Sequence, residues 1–194
     1  NSNFTEQVED IEGDHVFSNE ELAIINQGIM GGDNNSTQFS STAKQARDEI
    51  KTYLESASND ECAFFEIQQV FRNNKNIEEN FFDKYKHLKL NSLKDKTNQT
   101  LLHSAVDANN ASAIKALINL QIAQEQVNSQ DEFLMTPLHL SCIVYNKDCF
   151  SLIMGLKPNI ALSDSEGLLP LNYLEDNEDI DKSELESIKL KYKL

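Results

Sequence analysis

The side chains best equipped for chemistry are two histidines, His103 and His139, and two cysteines, Cys142 and Cys149, which follow the second histidine within ten residues. A cysteine beside a histidine can act as a nucleophile when the imidazole takes its proton, and both groups must then face a cleft. Here both cysteines fall where the repeating pattern of the chain predicts packed helices, so burial is expected instead. The histidines stand 36 residues apart, without the paired spacing on one helix that a metal site uses. Cys62 brings the cysteines to three, an odd number with no C-x-x-C pair, so neither a disulfide framework nor a zinc finger is indicated. Gly31 and Gly32 make no phosphate loop, because G-x-x-x-x-G-K-[ST] and G-x-G-x-x-G are both absent, as is the nucleophile elbow G-x-S-x-G. These residues predict no catalytic centre, no cofactor and no metal.

The elements around the histidines repeat. Thr136-Pro137-Leu138-His139 has an upstream echo in Thr100-Leu101-Leu102-His103, 36 residues earlier, and a weaker one in Leu169-Pro170-Leu171-Asn172, 33 residues later. Each block follows an acidic residue five positions ahead of it, namely Asp95, Asp131 and Asp164. A period near 33 residues predicts stacked helical pairs. Pro137 suits a first helical position, where its fixed φ fits and its missing N–H is not needed, and Thr136 suits the cap before it. Second helices are predicted over 111–120, with Ile114, Leu117 and Ile118 apolar, and over 148–156, with Phe150, Leu152, Ile153 and Leu156 apolar. A third first-type helix starts at Pro170, and a closing helix over 183–191 carries Leu185, Ile188 and Leu190. Ile122 to Gln126 reads as a link lengthened by three residues.

Upstream, 59–73 reads as a helix with Phe64, Ile67, Val70 and Phe71 inward, and 76–86 as another with Ile77, Phe81 and Phe82. Residues 1–58 read as an acidic tail followed by accessory helices over 18–30 and 42–56, divided by the glycine- and asparagine-rich stretch from Gly31. The fold class is therefore all-α. Scarce glycine and proline, six and three, and the absence of Trp agree with helices joined by polar loops.

The stretch T-P-L-H-L-S-C from Thr136 and its sister T-L-L-H-S-A-V from Thr100 resemble the opening of the first helix of an ankyrin repeat. The resemblance covers residues 95–194, about half of the chain, and about two-thirds if 59–90 is a divergent first repeat. It implies an ankyrin-repeat helical solenoid over 59–194 with a C-terminal capping helix, and an additional N-terminal helical segment. It also implies that His103 and His139 are structural, and that binding runs through the finger tips and the concave face of the first helices. Asn98 and Leu134 depart from the pattern by standing where the finger usually has glycine, while Gly167 keeps it.

The formal charge of −15, from 32 acidic and 17 basic residues, repels phosphate backbones and anionic lipid, so direct nucleic-acid or membrane partners are not expected. No apolar run approaches the ~20 residues that cross a bilayer, and unpaired cysteines fit an intracellular compartment, nucleus or cytoplasm. The finger and helix positions that the repeat pattern leaves open carry Glu132, Phe133, Met135, Ile143 and Val144 in the middle copy, and Glu166 and Leu168 in the third. An apolar patch rimmed by acids marks an interaction site, with Glu132, Asp164 and Glu166 as the expected rim. The expected function is a non-enzymatic protein–protein interaction module of a larger regulatory protein, taking another protein's basic or amphipathic segment. The alternative is a scaffold within a multiprotein assembly, such as a chromatin or transcription regulator that contacts basic segments. Phe4, Val8 and Ile11 in the tail are an intramolecular candidate for covering the same patch.

Overall fold

Fifteen residues with Phe64, Ile67 and Phe71 three and four apart fold as helix α1, Asn59–Asn73, in the computed structural model, which describes residue 48 and residues 59–194. Asp60 and Glu61 in its first turn and Arg72 in its last complement the helix dipole. Contacts divide the chain into two compact units, Asn1–Cys62 and Ala63–Leu194. In the first, Asp48 is helical and Asn59–Cys62 begins α1; the tail and the helices expected over 18–30 and 42–56 lie outside the described residues. The elements after α1 all belong to the second unit.

The helix expected over 76–86 does not form as such. The Ile77 backbone is engaged on both sides by one hydroxyl: its N–H donates to Ser112 Oγ at 2.9 Å, and Ser112 Oγ donates to its carbonyl at 3.3 Å. That anchor keeps the chain extended to Glu78, whose φ and ψ are −75° and 153°. The chain then turns into a 3₁₀ segment, Glu79–Tyr85, and a shorter one, Leu90–Ser92. Three residues per turn set Phe82 and Tyr85 above one another, and both are buried, with the Phe81 and Phe82 rings edge-on at 4.8 Å. Tyr85 donates its hydroxyl to buried Glu66 at 2.8 Å.

Short helices then alternate: α2, Leu101–Asp107; α3, Ala111–Asn119; α4, Ile122–Gln126; α5, Pro137–Ile143; α6, Lys147–Gly155; α7, Pro170–Glu175; and α8, Lys182–Tyr192. The expected second helices and closing helix are found with ends shifted by one residue. No strand occurs among the described residues, where an isolated antiparallel bridge joins Lys94 to Thr100. Helices of five to eleven residues are marginal alone in water. Packing must therefore hold them, and α5 lies centrally, against α2, α6 and α7. Leu101, Leu102, Ile114, Leu117 and Ile153 are wholly buried in one shared core, each contributing about 1.5–3 kcal/mol by burial.

The expected lengthened link is instead part of that core. Gln121 takes a left-handed φ of 61°, and α4 then buries Ile122, Ala123 and Gln126. The Gln126 amide ties three segments together: Oε1 accepts the Leu102 N–H at 3.1 Å, and Nε2 donates to the Asn91 carbonyl at 3.0 Å.

Candidate interaction surface

Helix α5 begins with a reciprocal cap that its sequence dictates. Thr136 Oγ1 accepts from the His139 N–H at 3.4 Å, and His139 Nδ1 accepts from the Thr136 N–H at 3.0 Å, with Pro137 at the first helical position. Thr100 and His103 make the same pair at the head of α2, and Asn172 Oδ1 accepts the Leu169 N–H at 2.8 Å in α7. Because Nδ1 is the acceptor, Nε2 carries the proton. It donates to the next hairpin: His103 to the Met135 carbonyl at 3.0 Å, and His139 to the Leu168 carbonyl at 3.2 Å. Burial pushes both histidines below their ordinary pKa, against the raising effect of these carbonyls and of nearby carboxylates. Both nitrogens of each ring are thus engaged internally.

The hairpins before the helices are built alike. Asp131 Oδ1 accepts the N–H groups of Phe133 and Met135, both at 2.9 Å, and the Asp131 N–H donates to the Met135 carbonyl at 3.0 Å. Asp95 holds Thr97 and Gln99 in the same way, and Asp164 holds Glu166 and Leu168. Successive hairpins are joined by the Glu132 N–H on the Thr97 carbonyl at 2.9 Å and the Ser165 N–H on the Phe133 carbonyl at 2.8 Å. The hairpins lacking glycine adopt the same left-handed conformation: Asn98 and Leu134 take φ of 64° and 58°, beside 83° at Gly167. Asn tolerates this region readily, whereas Leu there is strained by about 1–2 kcal/mol.

That frame sets the exposure of each candidate residue. Glu132 and Glu166 are exposed, Phe133 is 57% exposed, and Leu168 is 36% exposed. Met135 is half-buried with its carbonyl occupied by His103. The hydrogen bond from Ser165 to Phe133 brings these hairpin residues side by side. Ile143, 41% exposed, and half-buried Val144 lie at the far end of α5, six residues and so about 9 Å along the helix from Pro137. The seven candidates thus divide between the two ends of one helix. Half-buried Leu140, three and four positions before Ile143 and Val144, lies between the ends on the same face. It was missed in the sequence, although its helical spacing from Ile143 was legible.

Asp164 does not belong to the acidic rim. It is 5% exposed, and Oδ1 and Oδ2 are taken by the Glu166 and Leu168 amides and by the Tyr173 hydroxyl. Burial pushes its carboxyl up, but these hydrogen bonds outweigh that and hold it below the usual range; the same bond pushes Tyr173 up to about 12. The rim on the hairpin side is Glu132 and Glu166. At the other end, Asn177 donates Nδ2 to the carbonyls of Cys142 and Ile143 at 2.9 and 3.0 Å, which sets exposed Asp176 and Glu178 beside Ile143.

Cys142 is buried, and burial pushes its thiol up to about 12. A thiol so raised, near a histidine already engaged at both nitrogens, does not form a nucleophilic dyad with it. Cys149 is also buried and raised, while Cys62 is half-exposed. An apolar cavity of about 210 Å³ lies beside Cys142, lined by Leu138, Phe150, Met154, Leu169 and Leu174 among others. Among the described residues no three His, Cys, Asp or Glu side chains converge as metal ligands, and no helix is long and apolar enough to cross a membrane. In comparisons with known proteins, no family model matches the chain and no curated protein matches it.

Proposed function

We propose that the unit from Ala63 to Leu194 is an ankyrin-like stack and acts as a non-enzymatic protein-interaction module of a larger regulatory protein. It binds through the hairpin tips and the exposed face of α5. One observation carries this reading: Phe133 stands 57% exposed on a hairpin whose backbone is held by Asp131 and by both neighbouring hairpins. A large aromatic side chain kept in water by a rigid support costs little to order on binding, which is the property of an interface anchor. The recurring Asp-led hairpins and Thr–His caps, 36 residues apart, support the ankyrin-like assignment.

The test is capture of partners from cell extract by the immobilised chain and by its Phe133→Ala variant. The expected result is a captured protein that the variant loses while its far-UV circular dichroism is unchanged. Identical capture by both chains refutes the assignment of the hairpin surface.

A further inference from the structure

We infer that the apolar strip along α5, exposed at Phe133 and Ile143 and half-buried at Leu140 between them, takes an extended cationic segment of another protein, carrying two apolar anchors about four residues apart; this rests on the proposed interaction role. The strip has an apolar site at each end and an apolar bridge between them. Phe133 and Met135 mark one end, Ile143 the other, and Leu140 lies between. The two ends are separated by at least the ~9 Å rise from Pro137 to Ile143. An extended chain covers that span in about three to four residues, at ~3.3 Å each.

Charge chooses the occupant. The hairpin end is rimmed by Glu132 and Glu166, and the Ile143 end by Asp176 and Glu178, which Asn177 sets beside it. One period earlier the position of Ile143 is occupied by Asp107, at the end of α2, which packs on α5. Asp107 has an arginine, Arg72, at 3.6 Å, so the protein itself already places a cation in this row. From Gln130 to Asp181 the chain holds ten acids, of which Asp131 and Asp164 are buried in their hairpins, and two lysines, Lys147 and Lys157. A second copy, an anionic lipid or a nucleic acid would be repelled by a chain of net charge −15. A cationic peptide is attracted, and its apolar side chains are desolvated between the acids.

The experiment uses the full chain and a fluorescein-labelled synthetic peptide of two leucines four apart, each flanked by lysines, with a twin in which glutamate replaces every lysine. Fluorescence anisotropy is expected to show binding of the lysine peptide that weakens with added salt, and none of the twin. Phe133→Ala and Ile143→Ala should each weaken binding about tenfold. Glu132→Gln with Glu166→Gln should weaken it and flatten the salt dependence. Equal binding of both peptides, binding of neither, or indifference to Ile143→Ala overturns the inference. So does sedimentation showing a dimer that Phe133→Ala dissolves. Should it fail in any of these ways while Phe133→Ala still abolishes partner capture, the interaction role stands and only the cationic, two-anchor ligand is wrong.

Discussion

Asp131→Ala tests whether a buried carboxylate, rather than helix packing alone, holds the hairpin that presents Phe133. Asp131 is 3% exposed, and its Oδ1 accepts two backbone N–H groups at 2.9 Å each, while Oδ2 meets Gln99 Nε2 at 3.4 Å. Hydrogen bonds to a charged group contribute about 1.5–3 kcal/mol each. The Met135 amide would be left without an acceptor, whereas the Phe133 amide, on an exposed residue, can turn to water. A loss of about 2–4 kcal/mol is expected, a large share of the ~5–15 kcal/mol that holds a domain together. Asp131→Asn keeps one oxygen acceptor and should recover roughly half of the loss. The assay is urea unfolding monitored by far-UV circular dichroism, since the chain has no Trp to report by fluorescence. Hydrogen exchange at the Met135 amide should accelerate in the alanine variant. A change below about 0.5 kcal/mol for Asp131→Ala, with Met135 still protected, would falsify the claim that this carboxylate organises the hairpin.

Acid should destabilise the fold through His103 and His139: burial lowers their folded pKa, so the unfolded chain, titrating near the ordinary 6.5, binds more protons as pH falls. Stability contributed by these rings is complete above the unfolded value and declines below it by up to about 1.4 kcal/mol per pH unit per ring, until the folded pKa is passed. Comparing urea midpoints at neutral and mildly acidic pH with those of a His103→Gln, His139→Gln double variant isolates the effect, and parallel curves for the two proteins rule it out. Leu134→Gly relieves a left-handed φ of 58° but adds chain entropy, so its unfolding free energy should stay within about 1 kcal/mol of the parent. Leu134→Val, with a β-branched side chain at that φ, should lose more than the glycine variant, and the reverse order would contradict the strain assigned there. Gln126→Leu removes the acceptor of the buried Leu102 N–H and should cost about 1–3 kcal/mol in the same assay, a loss that an ordinary surface link would not show.

The capped helices were legible because their signals are local. Thr136 and His139 are three residues apart, so their reciprocal cap needs no distant partner, and Pro137 fits the first turn by its own ring. Helix α1 arises from Phe64, Ile67 and Phe71 at helical spacing. The same local logic failed at 76–86, where Ser112, 35 residues away, holds Ile77 extended and defers the turn. It failed again at Ile122 to Gln126, which becomes a buried helix because Gln126 finds partners on Leu102 and Asn91.

The candidate surface divides in the same way. That Phe133 and Glu132 stand at a hairpin tip is dictated by the motif and its leading aspartate, both written within five residues. That Asp164 is withdrawn from the rim depends on the Tyr173 hydroxyl across the turn, and that Asp176 and Glu178 flank Ile143 depends on Asn177 reaching back 34 residues. Sequence by itself determined the starts of the capped helices and the hairpin tips, because caps, proline and the Asx-type hairpin bonds act over three to five residues. Tertiary structure alone decided which acids are buried, as Asp164 is, and which lie exposed, and how the apolar residues align along α5, because burial and hydrogen-bond ownership are settled between segments distant in sequence.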